Sequence, residues 1–327
     1  MNILVTGGAG YIGSHTCLAL KELGYKTVVL DTLERGHLAA VIADVFVRGD
    51  IGDVSLVKDL LTKHNIEAVM HFSAYTYVEE SVRKPSMYFR NNVVATINLL
   101  DAMLECDVKK FVFSSTCAIY GQPDIVPIAE DAPQNPLSPY GFTKMAVERA
   151  LDAYSQAYGL SFAALRYFNA AGADAQGRLG EDHRPETHAI PLLLDAAAGL
   201  RPGFKVFGTD YDTPDGSCIR DYIHVMDLAD AHIRALKLLD SEKAVKLNLG
   251  TTNGVSVLEL VEAVKRVTGQ TFDVEFCGRR PGDPAKLVGS NTAARDMLGW
   301  APKHSDLNTI IETAWKWKLA NPQGYIN

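Results

Sequence analysis

Apolar and polar positions fall in alternating blocks along the first half of the chain. Ile3-Leu4-Val5 is a short apolar run, and beyond a cluster of glycines a helical periodicity occupies Ser14 to Leu23. Gly24 closes that helix, and Lys26 to Leu30 reads as a second strand. The alternation recurs at Ala68 to Phe72 and Phe111 to Ser115, with a helix from Asn92 to Leu104 between them. Continuous apolar strands separated by amphipathic helices need cover on both faces, which predicts an α/β fold built on a doubly wound parallel sheet.

Five prolines between Gln122 and Tyr140 mark an irregular excursion ahead of a helix that begins near Tyr140 and reaches Tyr158. Past about Asn169 the loops lengthen and fill with Gly, Asp and Pro, as in Ala173 to Pro185 and Gly208 to Ser217. We read residues 1–168 as a nucleotide-binding (Rossmann) domain and residues 169–327 mostly as a smaller α/β lobe for substrate. Residues 222–239 are expected to return to the first sheet. No internal repeat or low-complexity tract is present.

The length of 327 residues is long for one core and comfortable for two joined lobes. A composition of 47% hydrophobic and 22% charged residues is that of an ordinary globular protein. A net charge of -7 argues against a nucleic-acid partner, whose phosphates call for a basic surface. An anionic small molecule held by a few arginines remains compatible with it. The five cysteines (Cys17, Cys106, Cys117, Cys218 and Cys277) include no CxxC pair and are expected as reduced thiols; no metal centre is expected. The chain opens on an apolar strand with no basic region and cleavage site before it, and no apolar run reaches the length of a membrane span. A cytoplasmic protein is expected.

Between the first strand and the first helix stands Gly7-Gly8-Ala9-Gly10-Tyr11-Ile12-Gly13. Glycines there permit a tight turn and close approach of a pyrophosphate to backbone N–H groups, with the helix dipole behind them. Asp31 ends the second strand, where its carboxylate would accept hydrogen bonds from both adenosine ribose hydroxyls and repel a 2′-phosphate. NAD is therefore expected rather than NADP. Asp50-Ile51 follows a short strand and is a candidate cap for the adenine; Phe72-Ser73-Ala74 ends the next strand, at the carboxyl edge where the diphosphate passes.

Tyr140-Gly141-Phe142-Thr143-Lys144 carries the chemistry. Residues four apart share one face of a helix, so the phenol and the amine point the same way. An ammonium beside a phenol, helped by the positive nicotinamide of NAD, is expected to lower the phenol by two or three units from about 10 and make it a general base. Thr116, closing the strand Phe111-Val112-Phe113-Ser114-Ser115, offers a hydroxyl at the same edge for the reacting oxygen.

With these residues assembled, the chain resembles the extended short-chain dehydrogenase/reductases, and among them the UDP-galactose 4-epimerases. The resemblance runs nearly end to end, through LVTGGAGYIGSHT, FSST, SPYGFTK, RYFNAAGA, GED, ETHAIP, IRDYIHVMDLA, RRPGD and NPQGY. It implies a catalytic trio of Thr116, Tyr140 and Lys144, and reversible oxidation at sugar C4 with rotation of a 4-keto intermediate. For NAD it implies Gly7, Gly10, Tyr11, Ile12, Gly13, Asp31, Thr32, Asp50, Ile51, Phe72, Ser73, Ala74, Thr76, Asn91, Ser114, Tyr140, Lys144, Tyr167 and Phe168. For the UDP-sugar it implies Thr116 and Tyr140 together with Asn169, His188, Ala189, Lys205, Val206, Phe207, Arg220, Arg280, Asp283 and Leu287. Arginine forks match phosphate oxygens, which suits Arg220 and Arg280 to the diphosphate. A homodimer is implied as well, joined through Asn92 to Leu104 and Tyr140 to Tyr158.

Three positions depart from the common pattern of that family. Thr76 stands where many relatives carry lysine, Thr32 where asparagine is frequent, and Ser73 where alanine is. Leu287 occupies the position that limits room for an N-acetyl group, and its intermediate bulk leaves that tolerance open. A 4,6-dehydratase would need an acidic pair after the threonine, where Cys117 and Ala118 stand. A nucleotide-sensing regulator would have no use for the Tyr140–Lys144 pair. A UDP-xylose/UDP-arabinose or UDP-N-acetylglucosamine 4-epimerase shares the chemistry at C4 and stays open as an alternative.

Overall fold

The computed structural model describes residues 1–280 and 282–326. Its first half alternates strand and helix: β1 (Asn2–Thr6), α1 (Tyr11–Glu22), β2 (Lys26–Asp31), β3 (Val45–Arg48), α2 (Val54–Lys63) and β4 (Ala68–His71). Short helices α3 (Val78–Arg83) and α4 (Pro85–Phe89) lead through a wide π-helical turn, Arg90–Val94, into α5 (Ala95–Glu105). β5 (Lys110–Thr116), α6 (Pro139–Tyr158) and β6 (Ser161–Tyr167) follow. The helix read from Asn92 thus becomes regular only at Ala95, because the π turn swings Asn92 inward to clasp the Tyr75 backbone and the Thr143 hydroxyl.

The second half holds β7 (Asn169–Ala171), α7 (Ala189–Ala197), β8 (Gly203–Phe207), β9 (Ile219–Arg220), β10 (Tyr222–His224), α8 (Val225–Leu238) and β11 (Ala244–Leu249). β12 (Val255–Ser256), α9 (Val257–Thr268), β13 (Asp273–Cys277), β14 (Lys286–Leu287), α10 (Thr292–Leu298) and α11 (Leu307–Ala320) complete it.

Seven strands form one parallel sheet in the order β11-β6-β5-β4-β1-β2-β3. β1, β4, β5 and β6 are buried almost throughout, as strands covered on both faces must be. One apolar core lies against α1 and α8, with Leu20, Met70, Val112, Leu228 and Trp300; the other lies against α2, α5 and α6, with Leu4, Leu61, Leu100, Phe111 and Val147. The chain runs outward from β1 to β3 and then crosses back to β4, so the order reverses between β1 and β4. A crevice at the carboxyl ends of such neighbours is where this architecture binds nucleotides.

The large sheet draws on residues outside 1–168: β11 is its outer strand and α8 packs against α1. Tyr222–His224 pairs with β7 in a separate two-stranded sheet. The remaining elements gather a third core between α7, α9 and α11, including Leu193, Val206, Leu260 and Ile310. β8 pairs with β13 on one side of that lobe, and β9 lies between β12 and β14 on the other. Among the described residues no helix is long and apolar enough to cross a membrane.

Candidate active site

The glycine turn is closed by contacts that only hydrogen allows. Gly7 sits at φ +75°, and a Cβ there would fall 2.5 Å from the Ser73 amide nitrogen at the end of β4; a Cβ on Gly13 would fall 2.2 Å from the Gly7 carbonyl oxygen. α1 begins at Gly10 with no side-chain cap and no acidic residue in its first turn. The first-turn N–H groups, including those of Tyr11, Ile12 and Gly13, therefore face the crevice with the positive end of the helix behind them. Asp31, 9% exposed, accepts from the Ala9 amide at 3.0 Å through Oδ2 and the Leu33 amide at 2.9 Å through Oδ1. Burial holds its carboxyl above the usual range, and its remaining lone pairs suit a pair of ribose hydroxyls. An anion cradle with a carboxylate at the end of the next strand fits a dinucleotide without a 2′-phosphate.

Around that cradle the structure gathers most of the residues expected for the cofactor. Ser73 and Ala74 continue from β4, and Phe72 packs its ring 4.8 Å from that of His232. Asp50 accepts from the Gly52 amide at 2.7 Å through Oδ1, beside the buried Ile51. Asn91 donates to Asn92 at 2.9 Å. Thr32 and Thr76 stay at the exposed rim, Thr32 accepting from the Glu34 amide at 3.3 Å. The Tyr11 hydroxyl donates to Gly172 at 2.6 Å and so ties α1 to the second lobe. Ser114 and Tyr167 share a short hydrogen bond between β5 and β6, and Phe168 packs its ring on Gly289.

Thr116, Tyr140 and Lys144 meet at the carboxyl end of β5. Ser138 caps α6, accepting from the Gly141 amide at 3.2 Å, and so sets where the face bearing Tyr140 and Lys144 begins. Lys144 is 2% exposed; its Nζ donates to the Ser114 carbonyl at 2.7 Å and lies 4.8 Å above the Phe113 ring. Burial lowers this amine to about 7, against a smaller opposing pull from Glu148. Burial also pushes the Tyr140 phenol up to about 12, with the Thr116 hydroxyl beside it pulling the other way. The expected lowering of the phenol is therefore absent from the protein's own charges. The physical reason is that burial of the phenol outweighs its hydroxyl neighbour, while the Lys144 amine, directed at the Ser114 carbonyl, is itself only partly protonated near neutral pH. Thr116 Oγ1 accepts from the Ala118 amide at 3.1 Å.

Cys117 joins this trio to the second lobe, sensing Arg220 on one side while burial raises its thiol to about 12. Arg220 and Asp283 form an ion pair, and Arg220 stands in register with Leu287 across β9 and β14. The Arg280 guanidinium covers the Phe207 ring at 3.8 Å. Asn169 donates to the Asp221 carbonyl at 3.0 Å. These form one wall. Lys205 instead lies exposed and paired with Glu275 at 3.0 Å, Val206 is 1% exposed within the lobe core, and His188 and Ala189 begin α7, with His188 turned to Glu186 at 2.8 Å.

Several supporting residues escaped the sequence reading. Asn92 pins the loop after β4 to α6. Glu148 and Arg166, each with a side chain 1% exposed, form a bidentate pair that Ser115 and Tyr120 complete. Asp221 accepts from Thr251 and from the Gly289 amide at 3.0 Å, and burial raises it to about 6. Only Glu148 left a signal, standing four residues beyond Lys144 on the same helix face.

A glycine cradle, a ribose-facing carboxylate and a buried tyrosine–lysine pair define an NAD-linked enzyme of the short-chain dehydrogenase/reductase type. Residues 3–250 match the NAD dependent epimerase/dehydratase family, and the chain belongs to it. It is 53% identical over 324 residues to the UDP-glucose 4-epimerase of Rhizobium meliloti (strain 1021), covering 99% of this chain and 98% of that one. The crystal structure of UDP-glucose 4-epimerase from Brucella ovis in complex with NAD is 49% identical, with a TM-score of 0.94 over 96% of this chain and 97% of that one. That of the Stenotrophomonas maltophila UDP-glucose-4-epimerase, with bound NAD and formylated UDP-arabinopyranose, is 42% identical, with a TM-score of 0.96 over 99% of each chain. NAD is the cofactor of this family.

Proposed function

We propose that this protein interconverts UDP-galactose and UDP-glucose by transient oxidation at sugar C4. The observation that carries the reading is the convergence of Thr116, Tyr140 and Lys144 at the carboxyl end of β5, two strands from β1, which leads into the glycine cradle. When bound, NAD supplies the hydride acceptor and donor for C4. Tyr140 Oη takes the proton of the 4-hydroxyl and returns it when the ketone is reduced. Thr116 Oγ1 donates a hydrogen bond to the same sugar oxygen. Lys144 steadies the phenolate from the helix turn below, and Arg220 and Arg280 grip the diphosphate while the sugar turns over. A buried phenol at about 12 stays protonated near neutral pH, so formation of the phenolate base awaits a positive charge beside it.

The protein works as a homodimer in the cytoplasm on this reading. The free state of all five cysteines supports a reducing compartment. Exposed Phe142 and Ala153 and half-buried Ala146 and Ala150 line the outer face of α6 beside Val94 and Ile97 of the α5 region, which supports a helix-to-helix contact between protomers.

The test is incubation with UDP-galactose without added NAD, resolving products by chromatography. UDP-glucose should form, and Tyr140→Phe should lower kcat by about 10²–10⁴ while leaving the fold intact. Parallel tubes with UDP-N-acetylgalactosamine and UDP-xylose rank the substrates. No product from any tube, with NAD supplied, overturns the reading.

A further inference from the structure

The loop between β7 and α7 reads Glu181-Asp182-His183-Arg184-Pro185-Glu186-Thr187-His188, and the proposed reaction makes no use of its acids and imidazoles beyond the resemblance at His188. Glu181, His183, Glu186 and His188 turn toward one point, and one nitrogen or oxygen from each lies within 4.8 Å of all the others. His183 Nδ1 stands 3.2 Å from Glu181 Oε1 and 3.6 Å from Glu186 Oε2. His188 Nδ1 stands 3.1 Å from Glu181 Oε1 and 2.8 Å from Glu186 Oε1.

We propose that this quartet binds a divalent transition-metal ion, zinc by its ligand set. Two imidazoles and two carboxylates are zinc ligands of matched charge, and four filled positions make a closed, structural site. The chief alternative is a pair of imidazolium–carboxylate ion pairs, which calls for in-line hydrogen bonds. His188 makes one to Glu186. The buried Nδ1 of His183 stands between Glu181 Oε1 at 3.2 Å and Glu186 Oε2 at 3.6 Å, in line with neither. A nitrogen that faces two carboxylates without aligning on either is placed as a ligand to a centre between them. Glu186 Oε1 is held by the backbone amides of Thr187 and His188 at 2.7 and 2.8 Å, an outer layer of the kind that orients metal ligands. A cavity of about 230 Å³ bordered by Glu181, His183 and Glu186 gives a path of entry.

The site's position tells what it would hold. The His183 ring meets the edges of Tyr11 and Tyr77 at centroid distances of 6.2 and 6.3 Å, and Tyr11 is the first residue of α1. An ion here fastens the loop of the second lobe over the start of the helix that forms the cofactor cradle.

Tag-free protein, stripped with a chelator and passed through a desalting column, is titrated with zinc against a chromophoric competitor and analysed for metal. About one equivalent per chain should bind, and the thermal midpoint should rise on addition. Cobalt in its place should show the intense visible bands of four-coordinate geometry. His183→Gln and Glu186→Gln should each weaken uptake at least about 10-fold, whereas His304→Gln, a histidine outside the quartet, should leave it unchanged. Folding of the variants is checked by circular dichroism, and should they fail to fold, the cobalt spectrum of the unaltered protein decides. Absence of uptake, a six-coordinate cobalt spectrum, or equal uptake by the folded variants overturns the proposal and leaves an ion-paired cluster.

Discussion

Lys144 is held where its charge is unwelcome: 2% exposed, donating one hydrogen bond to Ser114, its amine lowered by burial from 10.5 to about 7. Below pH 7 folded and unfolded chains both carry the proton, and the fold bears the full cost of a buried ammonium. Between about 7 and 10.5 the unfolded chain holds a proton that the folded chain lacks, so stability rises with pH across that window. Each unit is worth about 1.4 kcal/mol, a penalty of several kcal/mol in all. Removing the amine leaves the Ser114 carbonyl without a donor, at about 1–3 kcal/mol. Lys144→Met should therefore be the more stable protein at pH 7 by about 2 kcal/mol, with the gain falling to zero at about pH 9 and turning into a deficit of about 1–3 kcal/mol by pH 10.5. Urea unfolding at several pH values reads this directly, and a variant no more stable than the parent at pH 7 would refute it.

On α6 the functional and structural faces coincide. Tyr140, Lys144 and Glu148 follow at four-residue steps, the first at the site and the last beneath it in the pair with Arg166. That pair spans α6 and β6, with Ser115 of β5 donating to Glu148 at 2.6 Å, so it fixes the helix against the two strands that carry the site. Glu148→Ala leaves a guanidinium uncompensated in the core and should cost about 3–5 kcal/mol by denaturant unfolding. Along the same edge of the sheet, Gly13→Ala puts a methyl group 2.2 Å from the Gly7 carbonyl, and the turn must open to admit it. The variant should be purified with far less bound dinucleotide than the parent, as chromatography of the acid-released cofactor will show.

Across the whole molecule, the second lobe is fastened to the first by a shared apolar cluster of Leu18, Ala40, Ala173, Leu179, Trp317 and Tyr325 and by polar contacts along α1 and the loop after β2. Tyr11 bonds Gly172 at 2.6 Å, Arg178 pairs with Glu22 at 2.9 Å, and His37 meets Asp182 at 3.4 Å. On the substrate side Asp221, fully buried, holds the Thr251 and Gly289 amides together. At the outermost scale, light scattering should give the mass of two chains. Ala150→Arg, on the outer face of α6, should give a folded protein with the mass of one. A single-chain mass for the unaltered protein would dispose of the dimer.

The parts legible in the sequence are those made by neighbours along the chain. Glycine spacing, the run of apolar residues in each strand, a carboxylate at a strand end and a four-residue step on a helix all act over less than one element, so their pattern survives in one dimension. Convergence between distant segments does not. Asn92 reaches Tyr75 and Thr143, Glu148 reaches Arg166, and Asp221 reaches Gly289 only because the sheet brings them together. Burial is decided at the same level: spacing put an amine beside Tyr140, but the packed core determined that this amine is half neutral and that the phenol rises to about 12. Residue order specified which groups share a face. Their charge was set by how much water the tertiary fold removes from around them, because the cost of an ion depends on its surroundings in every direction and not on its place along the chain.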